Sequence, residues 1–178
     1  MKQPMIIALA GPKGVGKSTM AHHLLINPNI SQGAGILSFA GGLKLMLSTI
    51  LPKEAFTPEG KEDVNFGLCG KTPRYLMQTL GTEWGRNLVG EDIWVGVMEH
   101  RIKTGGLGTV IIDDLRFENE WAMVKRLGGI VINLERSGVS HTCEHKSEQP
   151  LDAHLFDSVV NLDKVDDNFL RTIFNPFH

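Results

Sequence analysis

Residues 11–18 of the chain read GPKGVGKS, and the interpretation of the fold starts from this run. It matches the pattern G-x-x-x-x-G-K-[S/T], in which a glycine-rich loop cradles phosphate groups. An apolar run, MIIALA at residues 5–10, precedes it, and an amphipathic stretch at 17–26 follows. The loop therefore joins a buried strand to a helix, which is the context that the pattern requires. We predict a site for the phosphates of ATP or GTP.

Each residue type in this loop has a physical reason. Glycine has no Cβ, so backbone N–H groups can turn inward around a phosphate. The Lys17 ammonium can reach the β- and γ-phosphates, and the Ser18 hydroxyl can ligate Mg²⁺. The residues predicted to bind the ATP phosphates are Gly11, Lys13, Gly14, Val15, Gly16, Lys17, Ser18 and Thr19.

Outward from the loop, apolar runs alternate with amphipathic stretches, which indicates an α/β fold with a mainly parallel sheet. We expect strands at residues 4–10, 36–39, 109–112, 130–134 and 158–160. We expect helices at residues 17–26, 43–51, 72–88, 91–103, 117–127 and 165–174. Trp84, Trp94 and Trp121 are interpreted as core residues rather than base-stacking platforms.

Composition excludes several classes of protein. The formal net charge of −2 lacks the basic excess of a general nucleic-acid binder. No apolar run approaches the roughly 18 residues of a membrane helix, so we do not expect a membrane as partner. Because of the near-neutral charge, we do not expect a nucleic-acid polymer as partner either. Two cysteines, Cys69 and Cys143, form no disulfide framework, which favours the cytoplasm.

The run TVII at residues 109–112 ends in Asp113-Asp114. A phosphate loop needs an acidic residue at the end of a neighbouring strand, and one of these aspartates could hold Mg²⁺ through water or polarise the acceptor. The alternative is a plain aspartate pair that caps a turn. We assign the metal to Ser18 and Asp113.

A second anion site would distinguish a kinase from other proteins with this loop. At 100° per residue, Arg74, Gln78, Gly81 and Gly85 share one helical stripe. Arg74 could take an acceptor phosphate and Gln78 a base edge, while the two glycines would let the ligand approach. The alternative is a solvated face whose glycines pack against backbone. In a regular helix Arg86 points away from this stripe. It could reach the acceptor only if Gly85 ends the helix.

Two further arginines follow strands. Arg116 comes just after Asp113-Asp114, and Glu120 could orient it from the next helix. Arg136 follows the next strand. Both would lie at the carboxyl edge of the sheet, where α/β proteins bind ligands. An ordinary surface ion pair of Arg116 with Glu120 is the alternative.

Several blocks together resemble one family. They are SFA at 38–40, LK at 43–44, KTPR at 71–74, QTLGTEWGR at 78–86, DIWV at 92–95, DDLRFENE at 113–120 and HKSE at 145–148. The chain resembles the bacteriophage deoxynucleoside monophosphate kinases over most of its length. One departure is Gly41-Gly42, where the family pattern leads us to expect a proline before Leu43-Lys44.

The resemblance implies a P-loop NTPase three-layer sandwich in a single domain, residues 1–178. Its five-stranded parallel sheet would be flanked by helices, with an acceptor-binding region at about 40–104 and a short lid at about 137–150. The implied reaction is ATP + dNMP → ADP + dNDP with Mg²⁺, in the host cytoplasm if the chain is phage-encoded. Acceptor binding would fall to Lys44, Arg74, Gln78, Arg86 and Asp114, and catalysis to Lys17, Asp113, Arg116 and Arg136.

Two other functions stay open. The chain could be a P-loop kinase of another small acceptor, such as a coenzyme precursor, or a nucleotide-dependent switch ATPase.

The pattern His141-x-Cys143-x-His145 fits no common zinc spacing and is better explained as part of a polar lid. Which bases are accepted, whether ATP or GTP is the donor and whether the chain is a homodimer are not determined by the sequence.

Overall fold

A computed structural model describes residues 3–30, 33–140 and 149–164. Five strands form one sheet in which every pairing is parallel, in the order β2-β3-β1-β4-β5. The strands are β1 Met5–Ala10, β2 Ala34–Leu37, β3 Thr109–Ile112, β4 Ile130–Glu135 and β5 Ser158–Asn161. The predicted α/β fold with a five-stranded parallel sheet flanked by helices is confirmed.

The helices connect these strands. They are α1 Lys17–Ile26, α2 Gly41–Leu47, α3 Pro73–Gln78, a π-helix Thr79–Val89, α4 Ile93–Thr104 and α5 Glu118–Arg126. Short 3₁₀ turns lie at Lys53–Phe56, Gly60–Glu62, Ala153–Leu155 and Leu162–Lys164.

Strands β1 and β3 form the centre of the sheet because their side chains are apolar on both faces. All four residues of β3 are buried, as are Ile6 to Ala10 of β1. The two strands pair in register from Met5 opposite Thr109 to Ala8 opposite Ile112. Continuous apolar runs of this kind are typical of parallel strands covered on both faces.

The topology places a binding crevice between the outgoing ends of β1 and β3. The connection from β1 to β2 runs in one direction along the sheet, whereas the connection from β3 to β4 runs in the opposite direction. Loops that diverge from adjacent strands open a crevice at the carboxyl edge, which is where open α/β sheets bind ligands. The loop that follows β1 is GPKGVG, and the one that follows β3 begins with Asp113.

The described chain divides into two compact units. The first comprises the residues up to Leu37 and from Ile102 onward, and contains the sheet. Its core is built on Ile7, Leu9, Leu24, Ile111 and Leu134. The second, Ser38–Arg101, has its own core of Leu43, Leu47, Leu51, Ala55 and Trp94.

Several predicted boundaries are wrong. Strand β2 was expected at 36–39, but the four residues of β3 that it pairs with set its register from Ala34 to Leu37. Helix α2 was expected at 43–51 and instead begins at Gly41 and ends at Leu47. The helix expected at 91–103 is Ile93–Thr104. By contrast, the helix at 17–26 and the strand at 109–112 are confirmed at both ends.

Some expectations fall outside the described residues. They are the helix at 165–174, the block HKSE at 145–148 and the pattern His141-x-Cys143-x-His145. Among the described residues, no group of three or more His, Cys, Asp or Glu side chains is placed to hold a metal ion. None of the described helices is long and apolar enough to cross a membrane.

Asp157 ties the outer strands together. Its Oδ2 accepts hydrogen bonds from the Val131 backbone N–H at 2.7 Å and from Lys125 Nζ at 2.9 Å. Asp157→Ala leaves the partly buried N–H without its acceptor, so we expect a loss of about 1–3 kcal/mol in the free energy of unfolding, measured in urea.

Asp152→Ala is the matched control. Among the described residues, the Asp152 side chain contacts the exposed turn that follows it, at Ala153 and His154, so its removal should change stability by less than about 0.5 kcal/mol. Equal effects of the two substitutions would contradict the bridging role of Asp157.

Candidate functional site

The phosphate loop spans the gap between β1 and α1 in a conformation that only glycine adopts readily. Gly11 has φ of +128° and Gly16 has φ of +113°. A Cβ on Gly11 would also lie 2.5 Å from the Leu134 carbonyl oxygen of β4, which leaves no room for a side chain. Val15 is fully buried and anchors the loop on the sheet core. Lys13 and Thr19 are exposed on either side.

Lys17 is folded back over this loop. Its Nζ donates hydrogen bonds to the carbonyl oxygens of Gly11 at 2.7 Å and Pro12 at 2.8 Å. These contacts hold the ammonium directly above the loop that is predicted to bind phosphate. A phosphate bound there would meet a fixed positive charge.

Ser18 meets an aspartate of the neighbouring strand. The Ser18 hydroxyl donates to Asp113 Oδ2 at 2.9 Å, across 95 residues of sequence. This contact exists because β1 and β3 are adjacent, parallel and in register. A hydroxyl and a carboxylate are hard oxygen donors of the kind that Mg²⁺ binds, so the pair fits that metal. This hydrogen bond with Ser18 distinguishes Asp113 from Asp114, the half-buried residue that follows it.

Glu120 organises the loop that carries Arg116. It is 2% exposed, and its Oε2 accepts hydrogen bonds from the backbone N–H of Arg116 at 2.8 Å and of Phe117 at 3.2 Å. Glu120 therefore fixes the start of α5 and the position of the Arg116 backbone. That Glu120 orients the Arg116 side chain stays a prediction.

Arg136 lies against the phosphate loop. Its Nη2 is 3.6 Å from the position that a Cβ on Gly16 would occupy, beside Leu162. Asp163 steadies this end of β4, because its Oδ2 accepts the Ser137 backbone N–H at 2.7 Å. That hydrogen bond, helped by the charge of Arg136, holds the pKa of Asp163 below its ordinary value. Residues 137–140 and 149–150 are the described parts of the expected lid.

In the second unit, Arg74 pairs with Glu62. Thr72 caps α3 by accepting the Tyr75 N–H on its hydroxyl, and Pro73 occupies the first helical position, as predicted. Arg74 lies in this first turn and donates from Nε to Glu62 Oε1. Sequence analysis missed Glu62, because it lies twelve residues away in a polar excursion with no pattern of its own.

Three other predicted acceptor residues also lie in this unit, whereas Asp114 lies in the first unit. Gln78 is exposed at the end of α3, and Lys44 is half-buried in α2. Arg86 is half-buried in the π-helix, and its Nη1 donates to the Glu91 carbonyl oxygen at 3.2 Å.

The helical stripe through Arg74 and Gly85 is only partly correct. The helix becomes a π-helix at Thr79, so the assumed 100° per residue does not extend past Gln78. The helix also continues through Gly85 to Val89. Gly85 is buried, and a Cβ there would lie 2.7 Å from Trp94 Nε1. Gly85 therefore makes room for an indole rather than for a ligand.

Trp94 is the centre of this packing. Its indole N–H donates to the Gly81 carbonyl oxygen at 2.8 Å, and its ring is 4% exposed. The expectation of a core residue is confirmed for Trp94 but wrong for Trp84, which is 40% exposed. Trp121 is half-buried and donates to the Leu155 carbonyl oxygen at 2.7 Å.

Comparisons with known proteins agree with one another. A family model described as deoxynucleotide monophosphate kinase matches residues 70–173. A protein of Acanthamoeba polyphaga mimivirus named "Putative deoxynucleotide monophosphate kinase" is 31% identical over 163 residues, which cover 83% of this chain and 82% of that protein. The deoxynucleoside-5'-monophosphate kinase of Escherichia phage T5 is 30% identical over 119 residues, 58% of this chain and 47% of that protein. The family match begins after the phosphate loop, so it is independent of that widespread motif.

Gly81 and Gly85 should respond differently to alanine. Gly85→Ala forces a Cβ into the buried Trp94 indole, so we expect about 1–3 kcal/mol of destabilisation in urea and a change in tryptophan fluorescence. Gly81→Ala meets only Leu43 Cδ2 at 3.4 Å, an ordinary contact. Its stability should stay within about 1 kcal/mol of the parent. Equal destabilisation by both would contradict this packing.

Proposed function

Because the chain belongs to the deoxynucleotide monophosphate kinase family, we propose that it transfers the γ-phosphoryl group of ATP to a deoxynucleoside monophosphate. The products are ADP and the deoxynucleoside diphosphate. The observation that carries the donor half of this proposal is the contact of Ser18 with Asp113 beside a complete phosphate loop. A hydroxyl, a carboxylate and an ammonium then lie beside the glycine-rich loop at the carboxyl edge of the sheet.

The loop would bind ATP through its phosphates. Gly11, Gly14 and Gly16 all have positive φ, which is the backbone geometry of an anion-binding concavity. The N-terminus of α1 adds the positive end of a helix dipole. Lys17 would exchange its contacts with loop carbonyls for the β- and γ-phosphate oxygens.

Ser18 and Asp113 would hold Mg²⁺, with Asp113 acting partly through water. Bound there, the metal would neutralise charge on the β- and γ-phosphates. With the metal bound, the Ser18 hydroxyl would present its oxygen lone pair to the ion instead of donating to Asp113. The fit rests on the oxygen chemistry of the pair and its position at the end of β3.

Arg116 and Arg136 would contact the phosphoryl groups. Transfer between two phosphates brings two anions together, so the site must supply several cations. Arg136 adjoins Gly16 of the phosphate loop, and Arg116 sits on a loop that the buried Glu120 fixes. A guanidinium suits this task because its fork donates two parallel hydrogen bonds to a phosphate. Catalysis would consist of positioning and charge stabilisation, without a covalent intermediate.

Residues of the second unit would bind the acceptor. Arg74 would bind its phosphate, Gln78 would hydrogen-bond a base edge, and Lys44 and Arg86 would add further polar contacts. Asp114 of the first unit would polarise the acceptor. The ion pair of Arg74 with Glu62 supports this assignment, because it engages Nε and leaves the two Nη groups for a phosphate.

A substrate panel tests this function. We would assay dAMP, dGMP, dCMP and dTMP, and the four ribonucleotides, with ATP or GTP as donor. We expect turnover of at least one deoxynucleotide with ATP. Lys17→Ala should lower kcat with every acceptor by about 10²–10³-fold, since it removes a cation from the donor phosphates.

Lys53→Ala is the control, because Lys53 is an exposed lysine on a surface turn. It should leave turnover unchanged. Absence of turnover with any deoxynucleotide would refute the proposed reaction, and full activity of Lys17→Ala would refute the donor site.

A further inference from the structure

We infer that Arg101 is an additional binding residue for the phosphate of the acceptor, acting with the hydroxyl of Ser38 in the space above Gly41. The inference rests on the proposed function, in which the acceptor is a deoxynucleoside monophosphate. No motif in the sequence points to Arg101. Its position follows from the way in which α4 packs on the start of α2.

One face of α4 brings Arg101 to this place. Trp94, Val97 and Arg101 follow one another at helical spacing and so share a stripe. A Cβ on Gly42 would lie 3.3 Å from Val97 Cγ1 and 3.6 Å from Trp94 Cζ3. The stripe therefore lies along the first turn of α2, and Arg101 extends it past Gly41.

The absence of a side chain at Gly41 makes room for the guanidinium. A Cβ there would lie 2.7 Å from Arg101 Nη1 and 3.1 Å from Ser38 Oγ. Both polar atoms thus border the same small volume. This accounts for Gly41-Gly42 at a place where the family pattern has a proline.

Neither polar group is paired within the part of the chain that the structure describes. Arg101 has no carboxylate or carbonyl partner there, and the Ser38 hydroxyl has none either. Arg101 is nevertheless half-buried. Arg74, by comparison, has Glu62. Because a half-buried charge is costly without a partner, Arg101 together with a free hydroxyl indicates an anion as the missing ligand.

The acceptor phosphate is the anion that fits. Ser38 directly follows β2, so Ser38 and Gly41 belong to the segment that leaves the carboxyl end of a parallel strand. Two residues after Gly41, Leu43 contacts Gly81 on the helical segment that continues from Arg74 and Gln78. A guanidinium and a hydroxyl both donate, which matches an acceptor whose oxygens carry charge.

The test compares a deoxynucleotide with its deoxynucleoside, which has the same base and sugar but no phosphate. The pair used is the best substrate of the panel and its dephosphorylated form, with dissociation constants measured by calorimetry. Arg101→Ala should weaken binding of the deoxynucleotide about 10–100-fold and leave the deoxynucleoside unchanged. Arg101→Lys should be intermediate, because it keeps the charge but not the fork. The KM for ATP should not move.

Gly41→Ala tests the same inference in a second way, because it fills the space beside the Arg101 guanidinium. Its Cβ would displace the guanidinium, so it should weaken deoxynucleotide binding in the parent protein. It should have little further effect when Arg101 is already alanine, because the two changes remove the same interaction. Lys53→Ala, which removes an exposed positive charge from the same unit, is the control and should bind normally.

The outcomes separate this inference from the proposed function. Normal deoxynucleotide binding by Arg101→Ala overturns the inference, as does an equal loss of deoxynucleoside binding, which would show a structural role. If Arg101→Ala does not fold, binding of the deoxynucleotide and of the deoxynucleoside is compared in Arg101→Lys and Gly41→Ala instead. Weakened binding in Arg74→Ala together with normal binding in Arg101→Ala refutes the inference alone. Failure of the parent protein to phosphorylate any deoxynucleotide refutes the proposed function.

Discussion

The adjacency of β1 and β3 brings together the residues of the proposed donor site. Ser18 and Asp113 are 95 residues apart, and they meet at 2.9 Å because two short apolar strands pair in parallel register. The same adjacency makes the outgoing loops diverge, which opens the crevice at the carboxyl edge. Gly11 adds to this constraint, because its lack of a side chain lets the loop lie against the Leu134 carbonyl of β4. Strand packing thus places the groups that would handle phosphate and metal.

The second unit, Ser38–Arg101, depends instead on one aromatic residue. The Trp94 indole fills the space beside Gly85 and Gly42 and donates to the Gly81 carbonyl oxygen. Glycines at these places therefore serve the approach of helices to a tryptophan. Helix α4, fixed by this packing, also delivers Arg101 to Gly41. An acceptor site built on Arg74, Gln78 and Arg101 would rely on the position of Trp94.

Sequence patterns were sufficient where structure is local and failed where it depends on distant partners. The loop, α1 and β3 could be predicted to the residue, because their apolar runs and glycines define them without outside help. The π-helix could not, since a stripe drawn at 100° per residue assumes the α-helical repeat. Glu62 and Arg101 were missed because each gains its place through tertiary contacts. The sequence pattern points to Asp113, whereas the hydrogen bond of Asp113 with Ser18 depends on the register of β1 with β3.

The Mg²⁺ dependence of turnover tests whether Ser18 and Asp113 form the metal site. Mg²⁺ would be titrated at fixed ATP and deoxynucleotide for the parent, Asp113→Asn and Asp114→Asn. The account predicts that Asp113→Asn raises the Mg²⁺ concentration for half-maximal rate, or lowers the saturated rate, by about 10–100-fold. Asp114→Asn should keep the parent's Mg²⁺ dependence. An unchanged Mg²⁺ profile in Asp113→Asn, or the larger shift in Asp114→Asn, would contradict the account.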